Sequence, residues 1–269
     1  MTICETFKKT AIKTWYRLSD SKEVGMPLGE ETITDINLLE IRLAKHPEIQ
    51  VVKFNKRDEG INGADWEWWL TGKSNKWLGL RIQAKIINMK TDSYDQLHYK
   101  EQTDNLIKSS MENKPNLIPL YCLYTMCDLS QYVDKFTCNN YGGMYETYGC
   151  SFINAFVVKS VKEKHIRHLI QDMFPWHCIF CPLEFNDDDL PERAYKVIKM
   201  ETQQIIFCRE INGETDEYIN NFTLSDKPPD YIMKLIKNPN EEIKAPDNDL
   251  AGIMIIDEKN INTKKEKCP

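Results

Sequence analysis

The stretch "GADWEWWLTGKSNKWLGLRIQAKII", Gly63 to Ile87, decides how this chain is read. Two aromatic and β-branched runs, "ADWEWWL" and "LGLRIQAKII", flank the polar, glycine-containing "TGKSNK", the pattern of two strands joined in a hairpin. Side chains alternate faces along a strand, so Asp65, Glu67 and Trp69 share one face of the first run, and Arg81, Gln83 and Lys85 share one face of the second. Pairing sets these faces side by side. The result is a strip of carboxylates, an amide and cations among apolar neighbours, which needs internal pairing or a ligand to offset desolvation.

Working outward, Cys4, Phe7, Ala11, Trp15 and Leu18 recur at steps of three and four and predict a first helix. "EETITDINLLEIRLAKHP" predicts a second, with Glu30 and Glu31 in its first turn, Ile33, Ile36, Leu39 and Leu43 on its apolar face, and Pro47 beyond its end. "IQVVKF" reads as a strand before the hairpin, "YDQLHYKEQTDNLIKSSMEN" as a helix after it, and "NLIPLYCLYTM" as a buried strand. This order predicts an α/β fold, a central mixed sheet flanked by helices, over residues 1–130. Residues 131–269 read as a C-terminal α+β extension packed on that core. In it "SFINAFVVKS" is expected to be a strand, "VKEKHIRHLIQDMF" a basic amphipathic helix, "NDDDLPE" a solvated acidic loop, and "SDKPPDYIMKLI" to "LAGIMIIDEK" a helix and a short strand.

The bulk numbers bound the function. With 269 residues, 41% hydrophobic and 28% charged, the chain buries a full core. A net charge of −6 argues against coating nucleic acid by bulk attraction, although a local basic groove stays open. No segment reaches the ~20 apolar residues of a membrane helix, and the opening residues lack the ~7–15-residue apolar run of a signal peptide. A cytoplasmic protein that makes no membrane contact is expected. Nine cysteines without an export signal predict free thiols or a metal site rather than disulfides.

The polar strip suits a hard divalent cation, Mg²⁺ or Mn²⁺, which takes carboxylate, carbonyl and amide oxygens. Asp65, the Gln83 side-chain oxygen and the Ala84 backbone carbonyl are the candidate donors, with Glu67 as a second carboxylate at or just outside the metal. Lys85 would orient or deprotonate the attacking water and counter charge on a phosphoryl oxygen. In-line hydrolysis of a phosphodiester is the reaction that fits.

Asp65, followed eighteen positions on by Gln83-Ala84-Lys85, resembles the PD-(D/E)xK restriction-endonuclease-like superfamily, in the variant with glutamine at the second acidic position. The chain is also similar to a bacterial family of unknown function with an opening tryptophan helix, an "EETITD"-like helix start, a "GADWEWW" strand and a "QAK" strand. The superfamily resemblance covers about Glu30 to Met126. It implies a core of helix, three strands, helix and strand, a Mg²⁺-dependent nuclease, and a metal-site glutamate from the first helix of that core. Glu31 takes that role, with Glu30 as its substitute. By analogy it also implies genome defence against phage. Glutamine for an acid lowers the site's negative charge, so a catalytically inactive nucleic-acid or nucleotide-binding module on the same fold is the rival reading. A merely solvated hairpin face, with Asp65 and Lys85 as a surface ion pair, is the plain one.

DNA rather than RNA is the expected partner, through Lys73, Lys76, Arg81, Lys162 and Arg167. The acidic balance points to regulated activation or a homo-oligomer that assembles a positive channel. Trp66 and Trp68 are expected in the core, while Trp69 and Trp77 are candidates for stacking on a base. Cys178 and Cys181 have zinc-ligand spacing, with Cys138, Cys150 and His177 to complete a site, but their apolar surroundings favour buried free thiols over zinc.

Overall fold

The computed structural model describes residues 1–54, 65–132, 144–181, 188–209, 222–238 and 250–260, with the side chains of Asp65, 203–209 and 260 outside that description. Seven strands form one mixed sheet: β1 (Ile49–Lys53), β2 (Asp65–Thr71), β3 (Trp77–Ile86), β4 (Ile118–Tyr124), β5 (Ser151–Asn154), β6 (Phe174–Pro175) and β7 (Leu250–Asp257). Their order across the sheet is β1-β7-β2-β3-β4-β5-β6. The helices among the described residues are α1 (Ile3–Glu23), α2 (Glu30–Leu43), α3 (Gln102–Glu112), α4 (Ala155–Val161), α5 (Ile166–Leu169), α6 (Leu190–Arg209) and α7 (Asp230–Lys237). The architecture is α/β, a central mixed sheet flanked by helices.

The hairpin forms as its sequence directs, β2 pairing β3 antiparallel from Thr71 opposite Trp77 to Trp66 opposite Ile82. The chain's second half does not sit apart from the first. β7 lies between β1 and β2, antiparallel to one and parallel to the other, so the expected boundary at residue 130 falls inside a single sheet. Gly252 makes that insertion feasible: a Cβ there would stand 2.3 Å from the Trp66 ring.

One face of the sheet carries Trp66 and Trp68 into the larger core. Phe7 of α1 meets Trp68 edge-on at 5.5 Å between ring centroids, and Trp68 meets Phe152 at 5.3 Å. α1 is started by a capping box: Thr2 Oγ1 accepts from Glu5 N, and Glu5 Oε2 accepts from Thr2 N. The opposite face buries Trp69, Trp77, Leu117, Ile253 and Ile255 under Ile232 and Leu235 of α7.

Several expectations are corrected. α2 buries Ile33, Thr34, Asn37, Leu38 and Ile41, while Leu39 and Leu43 are exposed. The inward stripe is partly polar because it has partners: Thr14 donates to Asn37 Oδ1 at 2.8 Å, and Thr34 meets the Tyr124 hydroxyl at 2.8 Å. α3 starts at Gln102 rather than near Tyr94. The preceding run is tied to the 163–164 segment by Tyr94 N to Lys164 O at 2.9 Å, and Lys100 adopts a left-handed φ of 50°. "SFINAFVVKS" is a strand only to Asn154, whose side chain accepts from Phe156 N at 2.9 Å and so caps α4. The basic helix expected over 161–174 is broken, because Lys162 closes α4 at φ 56° and His165 caps the single turn of α5. The "NDDDLPE" loop runs into α6, with its first two residues outside the described ones.

Candidate active site

β3 outruns β2. Their ladder stops at Trp66 opposite Ile82, and β3 continues through Gln83, Ala84 and Lys85 to Ile86. Beyond Ile82, no described strand pairs with β3 on that side. On its other side Gln83 stands beside Tyr121 and Lys85 beside Leu123 in parallel β4. The polar strip foreseen in the sequence is therefore split: Glu67 and Arg81 lie inside the ladder, Gln83 and Lys85 past its end.

The first half is paired chiefly across the hairpin. Glu67 and Arg81 are cross-strand partners, 1% and 2% exposed, and Arg81 Nη1 lies 3.4 Å from Glu67 Oε1. Glu67 Oε2 accepts from Trp69 Nε1 at 3.0 Å and from the Tyr231 hydroxyl of α7 at 2.5 Å. Burial, and then the Glu67 charge, push the Tyr231 hydroxyl far up from its ordinary value, so it stays a donor. Both Glu67 oxygens are thus taken by protein donors, which corrects its candidacy as a metal ligand. Arg81 is corrected in turn: a guanidinium buried against Glu67 cannot reach a nucleic-acid backbone.

The second half is less fully paired among the described residues. Gln83 and Lys85 are each 4% exposed. Gln83 Oε1 has no hydrogen-bond partner among the described residues. Lys85 Nζ lies 3.9 Å from Glu30 Oε1, too far for a hydrogen bond. At an effective dielectric constant of ~20 that separation is worth about 4 kcal/mol of attraction. Taking an ammonium out of water costs several kcal/mol, so the pair is near break-even and does not explain itself as a stabilising device.

The remaining candidates distribute as follows. Asp65 opens β2, and the register that pairs Trp66 with Ile82 brings its backbone level with Gln83; its side chain lies outside the described residues. Ala84 belongs to the run that outlasts the β2 ladder. Glu30 rather than Glu31 faces Lys85, and Glu31 is exposed. The stripe explains this: Glu30 sits one turn before buried Thr34, which donates to its carbonyl at 2.9 Å, whereas Glu31 precedes exposed Asp35. Among the described residues no group of three His, Cys, Asp or Glu side chains forms a metal cluster.

Lys73 and Lys76 occupy the hairpin turn. Eight residues of strand separate Trp77 from Lys85, about 27 Å at ~3.4 Å each. Lys76 pairs with Asp226 at 2.5 Å, and the Lys73 amide donates to Asp189. Lys162 and Arg167 are exposed, on a segment that docks against the loop following β3 through Ser93 and His165. Of the proposed cationic contacts, these two lie at the Lys85 end of the sheet. Trp69 and Trp77 are 0% and 6% exposed and are core, not stacking platforms.

The cysteine reading changes as well. Cys181 is bonded to Cys4 of α1, with Cα atoms 5.4 Å apart, so it is not a zinc ligand. No local spacing announces a pair 177 positions apart. Cys150, Cys122 and Cys127 are buried free thiols, and Cys178 and His177 are buried; Cys138 lies outside the described residues. Burial pushes the Cys127 thiol up to about 12 and the Cys150 thiol further still.

What the fold and this region define is an α/β protein with a mixed sheet in which one central strand carries an amide and an ammonium past the end of its neighbour. The chain belongs to the family of unknown function DUF6615, which matches residues 3–262. No curated protein and no solved structure matches it. No described helix is long and apolar enough to cross a membrane.

Proposed function

We propose that the chain is a metal-dependent nuclease that hydrolyses phosphodiester bonds, in DNA rather than RNA. The observation that carries this is the pair Gln83 and Lys85, adjacent on one face of β3 and 4% exposed, one with an oxygen that has no partner among the described residues and the other 3.9 Å from the Glu30 carboxylate. Buried polar groups left so incompletely paired are costly to keep, and a ligand that completes them offsets that cost.

The donors fit a hard cation. Gln83 Oε1, the Glu30 carboxylate, Asp65 and the Ala84 carbonyl are all oxygen, the set Mg²⁺ or Mn²⁺ prefers over sulfur or imidazole. Such an ion supplies activation of a water and neutralisation of phosphoryl charge when bound. The chain's own residues do the rest. Lys85 holds its ammonium against the developing negative charge on the phosphoryl group, in a site where burial strengthens that interaction. Glu30 orients the Lys85 side chain. Lys162 and Arg167 take the phosphates that continue from the site, and the Glu67–Arg81 pair fixes the hairpin register beneath it.

The test is supercoiled plasmid incubated with purified protein and Mg²⁺ or Mn²⁺, alongside Asp65→Ala and Lys85→Ala. Cleavage by the wild type and by neither variant supports the assignment. Cleavage that survives both substitutions removes the site. Binding of plasmid without cleavage under any divalent condition selects the non-catalytic module instead.

A further inference from the structure

We infer that Gln102, at the start of α3, is a further member of this site, its amide oxygen facing the same space as that of Gln83 and contributing to an all-oxygen set for a divalent cation. The inference rests on the reading of β3 given above and extends it to a helix that the Asp65–Gln83–Lys85 pattern does not include.

Two observations carry it. The first is a second orphan: Gln102 is 8% exposed, and its Oε1, like that of Gln83, has no hydrogen-bond partner among the described residues. An amide acceptor buried without a donor costs about 1–3 kcal/mol, and where two such oxygens face one space a shared ligand accounts for both.

The second is direction. Thr103 meets the Tyr121 hydroxyl at 2.9 Å, which turns position 103 of α3 down onto β4. Asp104 pairs with Lys159 of α4 at 2.9 Å, and α4 leads out of β5, on the far side of β4 from β3. Successive residues of a helix are separated by about 100°. If 103 points down and 104 toward α4, then 102 points the other way, over β3. Tyr121 is the cross-strand neighbour of Gln83, so the residue beside Thr103 lies over the strand of Gln83 and Lys85. α3 also runs antiparallel to β4, joined by a short connection from Glu112 to Ile118. Its first turn therefore stands above the ends of β3 and β4, where Lys85 lies, and not above their beginnings.

Two neutral amide oxygens then share with Glu30 and Asp65 the role that a second acid fills in the resembling superfamily. This explains how a site with glutamine at position 83 retains enough oxygen donors.

Mn²⁺ alone, titrated into the full chain and followed by electron paramagnetic resonance, tests this without nucleic acid. Thermal melts in EDTA run beside it for wild type, Gln102→Leu, Gln83→Leu and Gln102→Glu. Gln102→Leu is expected to weaken Mn²⁺ roughly 10- to 100-fold, the range found when groups supporting a metal are removed. Its metal-free melting temperature should hold or rise, because an unpartnered buried amide has gone. Gln102→Glu should bind Mn²⁺ at least as well as wild type. Mn²⁺ binding unchanged in Gln102→Leu overturns this inference alone. So does a fall in binding by both Gln102 variants together with a lower metal-free melting temperature, which assigns Gln102 to packing. No Mn²⁺ binding by the wild type overturns the proposed metal site and this inference together.

Discussion

Replacing Glu67 by alanine should cost the protein much of its stability, and the structure gives the size of the loss. The Glu67 carboxylate lies 3.4 Å from Arg81, whose guanidinium is 2% exposed, and accepts from Trp69 Nε1 at 3.0 Å and from Tyr231 at 2.5 Å. Removing one partner of a buried ion pair costs about 3–5 kcal/mol, because the other charge stays behind. The Trp69 N–H, fully buried, loses its acceptor for a further ~1–3 kcal/mol. Tyr231 is half-buried, and the loss of its hydrogen bond comes in addition. A loss of at least about 4 kcal/mol is expected, against a total of about 5–15 kcal/mol for ordinary domains. At about 2–4 °C per kcal/mol for a chain near this size, the midpoint should fall by roughly 10–15 °C. Urea unfolding followed by tryptophan fluorescence measures the free energy, and thermal melting gives the midpoint. Glu67→Ala/Arg81→Met should be more stable than Glu67→Ala alone, since the double variant strands no charge. A single variant within about 1 kcal/mol of wild type, or a double variant less stable than the single one, would refute the reasoning that Glu67 is a structural anchor.

Two further outcomes follow from the same geometry. Glu30→Gln should lower plasmid cleavage by tenfold or more while Glu31→Gln stays within about twofold, the reverse of the sequence-based assignment; equal effects would remove Glu30 from the site. Glu201 of α6 has its carboxyl pushed up from 4.5 to about 7 by burial. A raised carboxyl favours the folded state fully below about pH 4.5 and loses that contribution as pH rises toward 7. Glu201→Gln should therefore raise the melting temperature at pH 8 and leave it unchanged at pH 4.5, and an equal shift at both values would assign the effect to something other than titration.

Fold and site differ in how much of each was written locally. The hairpin, α1, β1, β4, α7 and β7 were legible because each is announced by its own residues: a period of two or of 3.6, a cap, a turn. The polar strip was legible for the same reason, since alternation alone puts Arg81, Gln83 and Lys85 on one face. The inward face of α2 was not, because Thr34 and Asn37 face inward on account of Thr14 and Tyr124, far away in sequence. Reading Leu39 and Leu43 as the buried face is the natural error when hydrophobicity is the only guide. The exposure of Lys162 and Arg167 was equally visible, but not their place at the Lys85 end of the sheet.

The sequence by itself determined which residues alternate, where the chain turns, and that an amide and an ammonium would share a strand face. Only the tertiary structure decided that Glu67 pairs with Arg81 across the hairpin, while Gln83 Oε1 has no partner among the described residues and Lys85 faces Glu30 of α2. Strand alternation is a property of consecutive residues and is encoded in them. Whether a buried polar atom finds its partner depends on where a neighbouring strand stops and on which helix, drawn from elsewhere in the chain, covers it.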